Sequence, residues 1–153
     1  MKKFKFSLES VLRIKLAREK QKKGELGEIE FRIINKNTEL KKIQNDLNNL
    51  DLDFENHLKK TNAIWLVSYE HYKKVLSDKA EIVLTELSKL YKEKELCQQQ
   101  LITVIKERET LEKLREQQYN VYLHEMQKEY EREIGDFMGF HAAEAYENGG
   151  QAS

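Results

Sequence analysis

Two runs of apolar residues, spaced alternately three and four apart, decide what this chain can fold into. The first passes through Leu26, Ile29, Ile33, Lys36, Leu40, Ile43, Leu47, Leu50, Phe54, His57, Thr61 and Ile64, and nine of these twelve are apolar. The second passes through Leu76, Ala80, Val83, Leu87, Leu90, Lys94, Cys97, Leu101, Val104, Arg108 and Leu111, and runs on to Leu114. Such spacing keeps one stripe on one side of a helix and winds two helices into a left-handed coil. The first run could meet a second chain or the same chain after a turn. Proline is absent throughout, and Lys59–Asn62 is the best place for two long helices to reverse. A reversal near Thr61 sets residue i opposite roughly 122 − i, by the 1.5 Å rise shared by both helices. Leu47 then lies near Val75, and Leu12 near Thr110. The fold expected is all-α, a long antiparallel two-helix coiled coil whose second helix overhangs the first.

Composition agrees with a narrow apolar seam under a large wet surface. Charged residues make up 35% of the chain and hydrophobic ones 39%, against about 25% charged in an average globular domain. A compact core around a substrate pocket is not expected. Lys and Arg number 27, as do Asp and Glu, and this balance argues against a non-specific nucleic-acid binder, which is strongly basic. The charge is unevenly spread. Residues 1–23 carry nine basic groups against Glu9 and Glu19, whereas residues 107–136 carry nine acidic groups against five basic ones. Antiparallel pairing brings these stretches alongside each other, an attraction that salt screens.

The first helix is expected over about 7–59, with Ser7 or Ser10 as its N-cap. Its opening turns are weakly apolar, because the heptad continued backwards falls on Lys22, Glu19 and Lys15. Gly24 and Gly27 soften it further, each at up to about 1 kcal/mol against Ala. The second helix is expected over about 63–137, completing one domain of residues 1–137, with 138–153 as a flexible tail. At 1.5 Å per residue the helices measure roughly 80 and 110 Å. The overhang carries Tyr119, Tyr122, Leu123, Met126, Tyr130, Ile134 and Phe137, a stripe that nothing else in the chain is expected to cover. An amphipathic helix with no internal partner reads as a contact for another protein.

No catalytic constellation stands out. There is no Gly-rich phosphate loop, no His-Glu-x-x-His helix and no Cys pair at metal spacing. His57, His71, His124 and His141 are scattered, and Cys97 sits at a seam position, where a thiol behaves as a small hydrophobe. A lone cysteine suits a reducing compartment. No segment approaches the ~18 apolar residues of a membrane span, and no apolar run follows MKKFKF to make a signal peptide. The expectation is a cytoplasmic, non-enzymatic protein without cofactor, metal, nucleic acid or small-molecule substrate.

Trp65–Leu76 is richer in apolar residues than a two-helix seam requires. The second seam, continued backwards from Leu76, takes Lys73, Tyr69 and Leu66 and leaves Tyr72 off register. These side chains either fold over the seam and seal it, or also display a strip for a partner. The basic N-terminal run is likewise open between a solvated helix face, a protein-docking surface and attachment to a membrane surface, the last disfavoured by the small size of the Phe4, Phe6, Leu8 cluster.

Three stretches in order resemble the flagellar export protein FliJ family. They are FKFSLESVLRIKLAREKQ at the start, W-x3-Y-E-H-Y-K-K-V-L at Trp65–Leu76, and RETLEKLREQQY at Arg108–Tyr119. The resemblance spans about residues 4–137. It implies a monomeric antiparallel coiled coil similar to the stalk of rotary ATPases. It also implies a cytoplasmic part of the flagellar type III export apparatus, held peripherally at the inner membrane. The implied partners are the hexameric export ATPase, the export-gate membrane protein and export chaperones. Carried onto this chain, gate binding falls to Tyr69, Tyr72, Leu76 and Val83, with Lys79 standing where the family has a small apolar residue. ATPase-ring binding falls to Phe6, Leu8, Leu12, Arg13, Arg108, Leu111, Leu114 and Tyr119. The family's acidic motif near the end of helix 2 is matched only in part, by Ile134-Gly135-Asp136. Periodicity alone also admits the equivalent stalk of a virulence-type injectisome, or a generic coiled-coil scaffold.

Overall fold

The computed structural model describes residues 2–57 and 62–151, without the side chain of Gln151. The chain is all-α, with α1 at Glu9–His57 and α2 at Ala63–Gln151 packed against each other, and no strand occurs among the described residues. Of the expected reversal at Lys59–Asn62, only Asn62 is among the described residues. Its Oδ1 accepts the backbone N–H of Trp65 at 2.8 Å, the bond an N-cap makes to the third helical residue. Asn62 therefore fixes where α2 begins. At the start of α1 neither serine caps. The Leu8 carbonyl takes the first helical bond, from Leu12 N at 2.9 Å, and Glu9 N donates to Phe6 O at 3.2 Å.

The contacts divide the chain into two compact units, Ala17–Ile105 and Met1–Leu16 with Lys106–Ser153. In the first unit, Ile33, Ile43, Leu76, Val83 and Leu87 form the buried cluster, flanked by Ile29, Leu40, Leu47, Leu50, Ala80 and Leu90. All are seam positions, because only a stripe repeating every 3.5 residues can stay against the partner helix. Between seam positions Phe31, Ile34, Ile82 and Leu84 stay exposed. The pairing follows the 122 − i register: Lys36 Nζ meets Glu86 Oε2 at 2.6 Å, and Lys22 Nζ donates to Gln100 Oε1 at 2.9 Å. Cys97 is buried, with its thiol 3.6 Å from the Lys22 carbonyl.

Glu19, which the backward heptad marked as a weak point, is buried at 6% exposure. Its carboxylate is ion-paired to Lys23 Nζ at 3.1 Å. A buried carboxylate that lost such partners would be left with an uncompensated charge, so the residue constrains packing rather than loosening it.

The second unit holds the first turns of α1 and the long distal part of α2. Leu12 is buried, Leu111 and Leu114 are half-buried, and Lys15 pairs with Glu107 and Arg115 with Glu9. Ahead of α1, residues 2–8 lie against α2. The Phe4 ring meets Tyr119 edge-on at 5.2 Å and Tyr122 at 5.5 Å, and the Tyr122 hydroxyl donates to the Lys2 carbonyl at 2.6 Å. This corrects one expectation, since Tyr119 and Tyr122 do have a partner inside the chain. Uncovered apolar side chains follow further along, at Tyr130, Phe137, Met138 and Phe140. α2 continues to Gln151, past the expected end at 137. No glycine has positive φ, so Gly135 and Gly139 stay within helical geometry instead of stopping it.

Candidate functional site

Side chains of both helices converge where α2 begins. Phe54 stacks on Tyr69 at 4.5 Å and on Trp65 at 5.7 Å, and His57 stacks on Trp65 at 5.9 Å. The four rings close the seam as one pile, because flat rings at this spacing bury area on both faces. Trp65, half-buried, takes the seam place that the heptad gave to Leu66, which is exposed. The Tyr69 hydroxyl donates to Asp51 Oδ1 at 2.8 Å, and Lys73 Nζ lies 3.4 Å from the same oxygen and 5.7 Å above the Tyr69 ring. The bond from Tyr69, with the Lys73 charge behind it, lowers the Asp51 pKa. Tyr69 is raised, first by that bond to Asp51 and then by burial. Lys73 is raised mainly by the Asp51 charge.

The four expected gate residues lie together in this unit but do not share one environment. Tyr69, Leu76 and Val83 are buried in the seam, whereas Tyr72 is 50% exposed. Tyr72 borders a groove of about 340 Å³ that includes His57, Trp65, Ser68 and Tyr69. Ile64 and Val67 are also exposed, on the first turns of α2. Only Tyr72, of the four, can touch a partner without the helices parting.

The expected ATPase-ring residues likewise fall within one unit. Phe6 and Leu12 are buried, Leu8, Leu111 and Leu114 half-buried, and Arg13 and Tyr119 exposed. Arg108 is half-buried and donates to Glu112 Oε2 at 2.8 Å. Two grooves border this set. One, of about 410 Å³, is lined by Phe4, Glu112, Arg115, Glu116 and Tyr119. The other, of about 550 Å³, sets Lys2, Lys3 and Lys5 opposite Glu125 and Glu129, with Phe4, Tyr122 and Met126 between them. The N-terminal latch, in which Phe4 packs on Tyr119 and Tyr122, is not among the contacts expected from the sequence. An aromatic-basic segment three residues from the helix was its available signal.

Among the described residues no group of three or more side chains could hold a metal ion, and no helix is long and apolar enough to cross a membrane. What the fold defines is a helical-hairpin protein whose side chains hold two helices in register and offer apolar strips on their flanks. Residues 4–143 match the family described as flagellar FliJ protein, and the chain belongs to that family. It is accordingly a component of flagellar type III export, in a family of non-catalytic export proteins. No curated protein and no solved structure matches the chain.

Proposed function

We propose that the chain is a non-enzymatic, stalk-like coupling protein that joins the export ATPase ring to the export gate and assists the handling of export chaperones. It works as a monomer in the cytoplasm, peripherally at the inner membrane. The observation that carries this reading is family membership over nearly the whole chain. The separation of the site residues supports it: the ATPase-ring set lies in one compact unit and the gate set in the other. On the ring side, Arg13, Tyr119 and the basic segment latched by Phe4 make the contact, with Phe6, Leu8, Leu12, Arg108, Leu111 and Leu114 holding the two helices beneath it. On the gate side Tyr72 makes the contact, while Tyr69, Leu76 and Val83 fix the helix pair that presents it. A coiled-coil hairpin suits coupling because its packed seam resists bending better than a lone helix.

The test is to add the purified chain to the hexameric export ATPase and measure binding together with turnover. Binding with raised turnover is expected. An ATPase whose turnover is unchanged, and which retains none of the chain on co-sedimentation at micromolar concentration, refutes the coupling role.

A further inference from the structure

α2 runs on past everything that packs against it, and every residue from 127 to 150 is exposed. Helices in proteins owe most of their stability to packing of an apolar face, not to propensity. Gly135 and Gly139 weaken this stretch further, by roughly 1 kcal/mol each against Ala. Tyr119, Tyr122, Met126, Tyr130, Ile134 and Phe137 follow at steps of three or four, so they form one stripe. Its first part is covered from inside the chain. Phe4 lies against Tyr119 and Tyr122 at 5.2 and 5.5 Å, and Lys2, Lys3 and Lys5 share a groove with Met126, Glu125 and Glu129. Beyond it Tyr130, Phe137, Met138 and Phe140 are between 57% and 67% exposed.

The charges beside the uncovered part are acidic. Glu125, Glu129, Glu133 and Asp136, at steps of four, four and three, border the stripe on one side, and Glu133 is nearest its centre. None of the four is ion-paired among the described residues. Residues 124–147 carry seven carboxylates against Lys128 and Arg132, and those two stand on the opposite side of the helix. The uncovered part from Tyr130 to Phe140 is roughly 15 Å long, the reach of about five residues of extended chain. Residues 2–6, Lys-Lys-Phe-Lys-Phe, are such a segment, without helix or strand, over the covered part.

We propose that the uncovered stripe binds an extended basic-aromatic segment of a partner protein, with the chemistry of the segment that covers the neighbouring turns. The partner's rings would lie on Tyr130 and Phe137, and its lysines or arginines opposite Glu133 and Asp136. The same carboxylates repel the stripe of a second copy and an anionic lipid surface. A second copy's basic segment is already held at its own Tyr119 and Tyr122. The ring contacts proposed above end at Tyr119, so this site stands or falls separately from them.

The probe is a fluorescein-labelled peptide of Lys-Lys-Phe-Lys-Phe repeated twice. One control has glutamate in place of lysine, and another has alanine in place of phenylalanine. In fluorescence anisotropy with the full chain, the probe should bind roughly tenfold tighter than either control and weaken as salt rises. Tyr130→Ala with Phe137→Ala should lower its affinity about tenfold with helicity unchanged, and so should Glu133→Gln with Asp136→Asn. Binding no tighter than that of the controls overturns the proposal, as does undiminished binding to either double variant. Loss of binding only on Tyr119→Ala with Tyr122→Ala would mean that the peptide displaces the chain's own segment, and overturns it too. Concentration-dependent sedimentation of the chain alone, abolished by Phe137→Ala, would assign the stripe to a second copy and likewise overturn it. None of these readings uses the export ATPase, so a failed coupling role leaves them intact.

Discussion

Leu76 and Tyr72 are one helical turn apart, and the structure assigns them opposite consequences on truncation. Leu76 is 5% exposed and belongs to the buried cluster with Ile33, Ile43, Val83 and Leu87. Leucine-to-alanine changes in cores cost about 2–5 kcal/mol, depending on how far the site collapses. A two-helix seam is one layer deep and water reaches its edges, so Leu76→Ala should fall near the low end, at about 2–3 kcal/mol. Among the described residues Tyr72 makes no hydrogen bond or ring contact, and it is half exposed, so Tyr72→Ala should stay within about 0.5 kcal/mol. Urea denaturation followed by circular dichroism at 222 nm would measure both. The midpoint should fall for Leu76→Ala at unchanged slope, and hardly move for Tyr72→Ala. Binding to the cytoplasmic part of the export gate, measured by calorimetry at a temperature where both variants are folded, completes the comparison. Tyr72→Ala should weaken binding with full helicity retained. If Leu76→Ala leaves the midpoint unmoved, the seam packing is wrong. If Tyr72→Ala binds normally, the gate contact is wrong, whatever Leu76 does.

Three further outcomes follow from the geometry. Asn62→Ala removes the bond to Trp65 N and should lower stability by about 1 kcal/mol, with Asn62→Asp restoring it, read from thermal melts. Asp51 has a lowered pKa, so its contribution is present above the usual carboxylate range and is lost as pH falls through the lower folded value. Tyr69 has a raised pKa, so its contribution is full below the usual tyrosine value and is lost as pH rises through the higher folded one. Asp51→Asn should flatten the acid limb of stability against pH, and an acid limb unchanged by that substitution would disprove the coupling. Phe4→Ala should release residues 2–8 from α2, seen as faster trypsin cleavage after Lys5, and should weaken ATPase binding while thermal stability stays within about 1 kcal/mol.

Periodicity carried most of the fold. The seam from Leu26 to Phe54, the second from Leu76 to Leu114, and the 122 − i pairing were all legible, because one residue every 3.5 must be apolar for two helices to stay together. Trp65 was misplaced because stacking with Phe54 and Tyr69 outweighs one step of heptad phase. Asn62 was read as part of the turn, although an Asn just before an apolar run is itself a cap signal. The burial of Glu19 was out of reach, since it depends on what surrounds a weak seam position. The gate set was legible only as a neighbourhood. Resemblance supplies residue positions, and exposure separates Tyr72 from the three residues held in the seam.

The aromatic pile at the start of α2 has an optical consequence. Trp65 is the chain's single tryptophan, and it sits in the stack beside the groove bordered by Tyr72. Excitation at 295 nm therefore reads one address in the molecule. A partner settling against Tyr72 would dry the indole and shift its emission to the blue, while parting of the two helices there would wet it and shift it to the red. The same lamp thus tells docking from opening, with no label added.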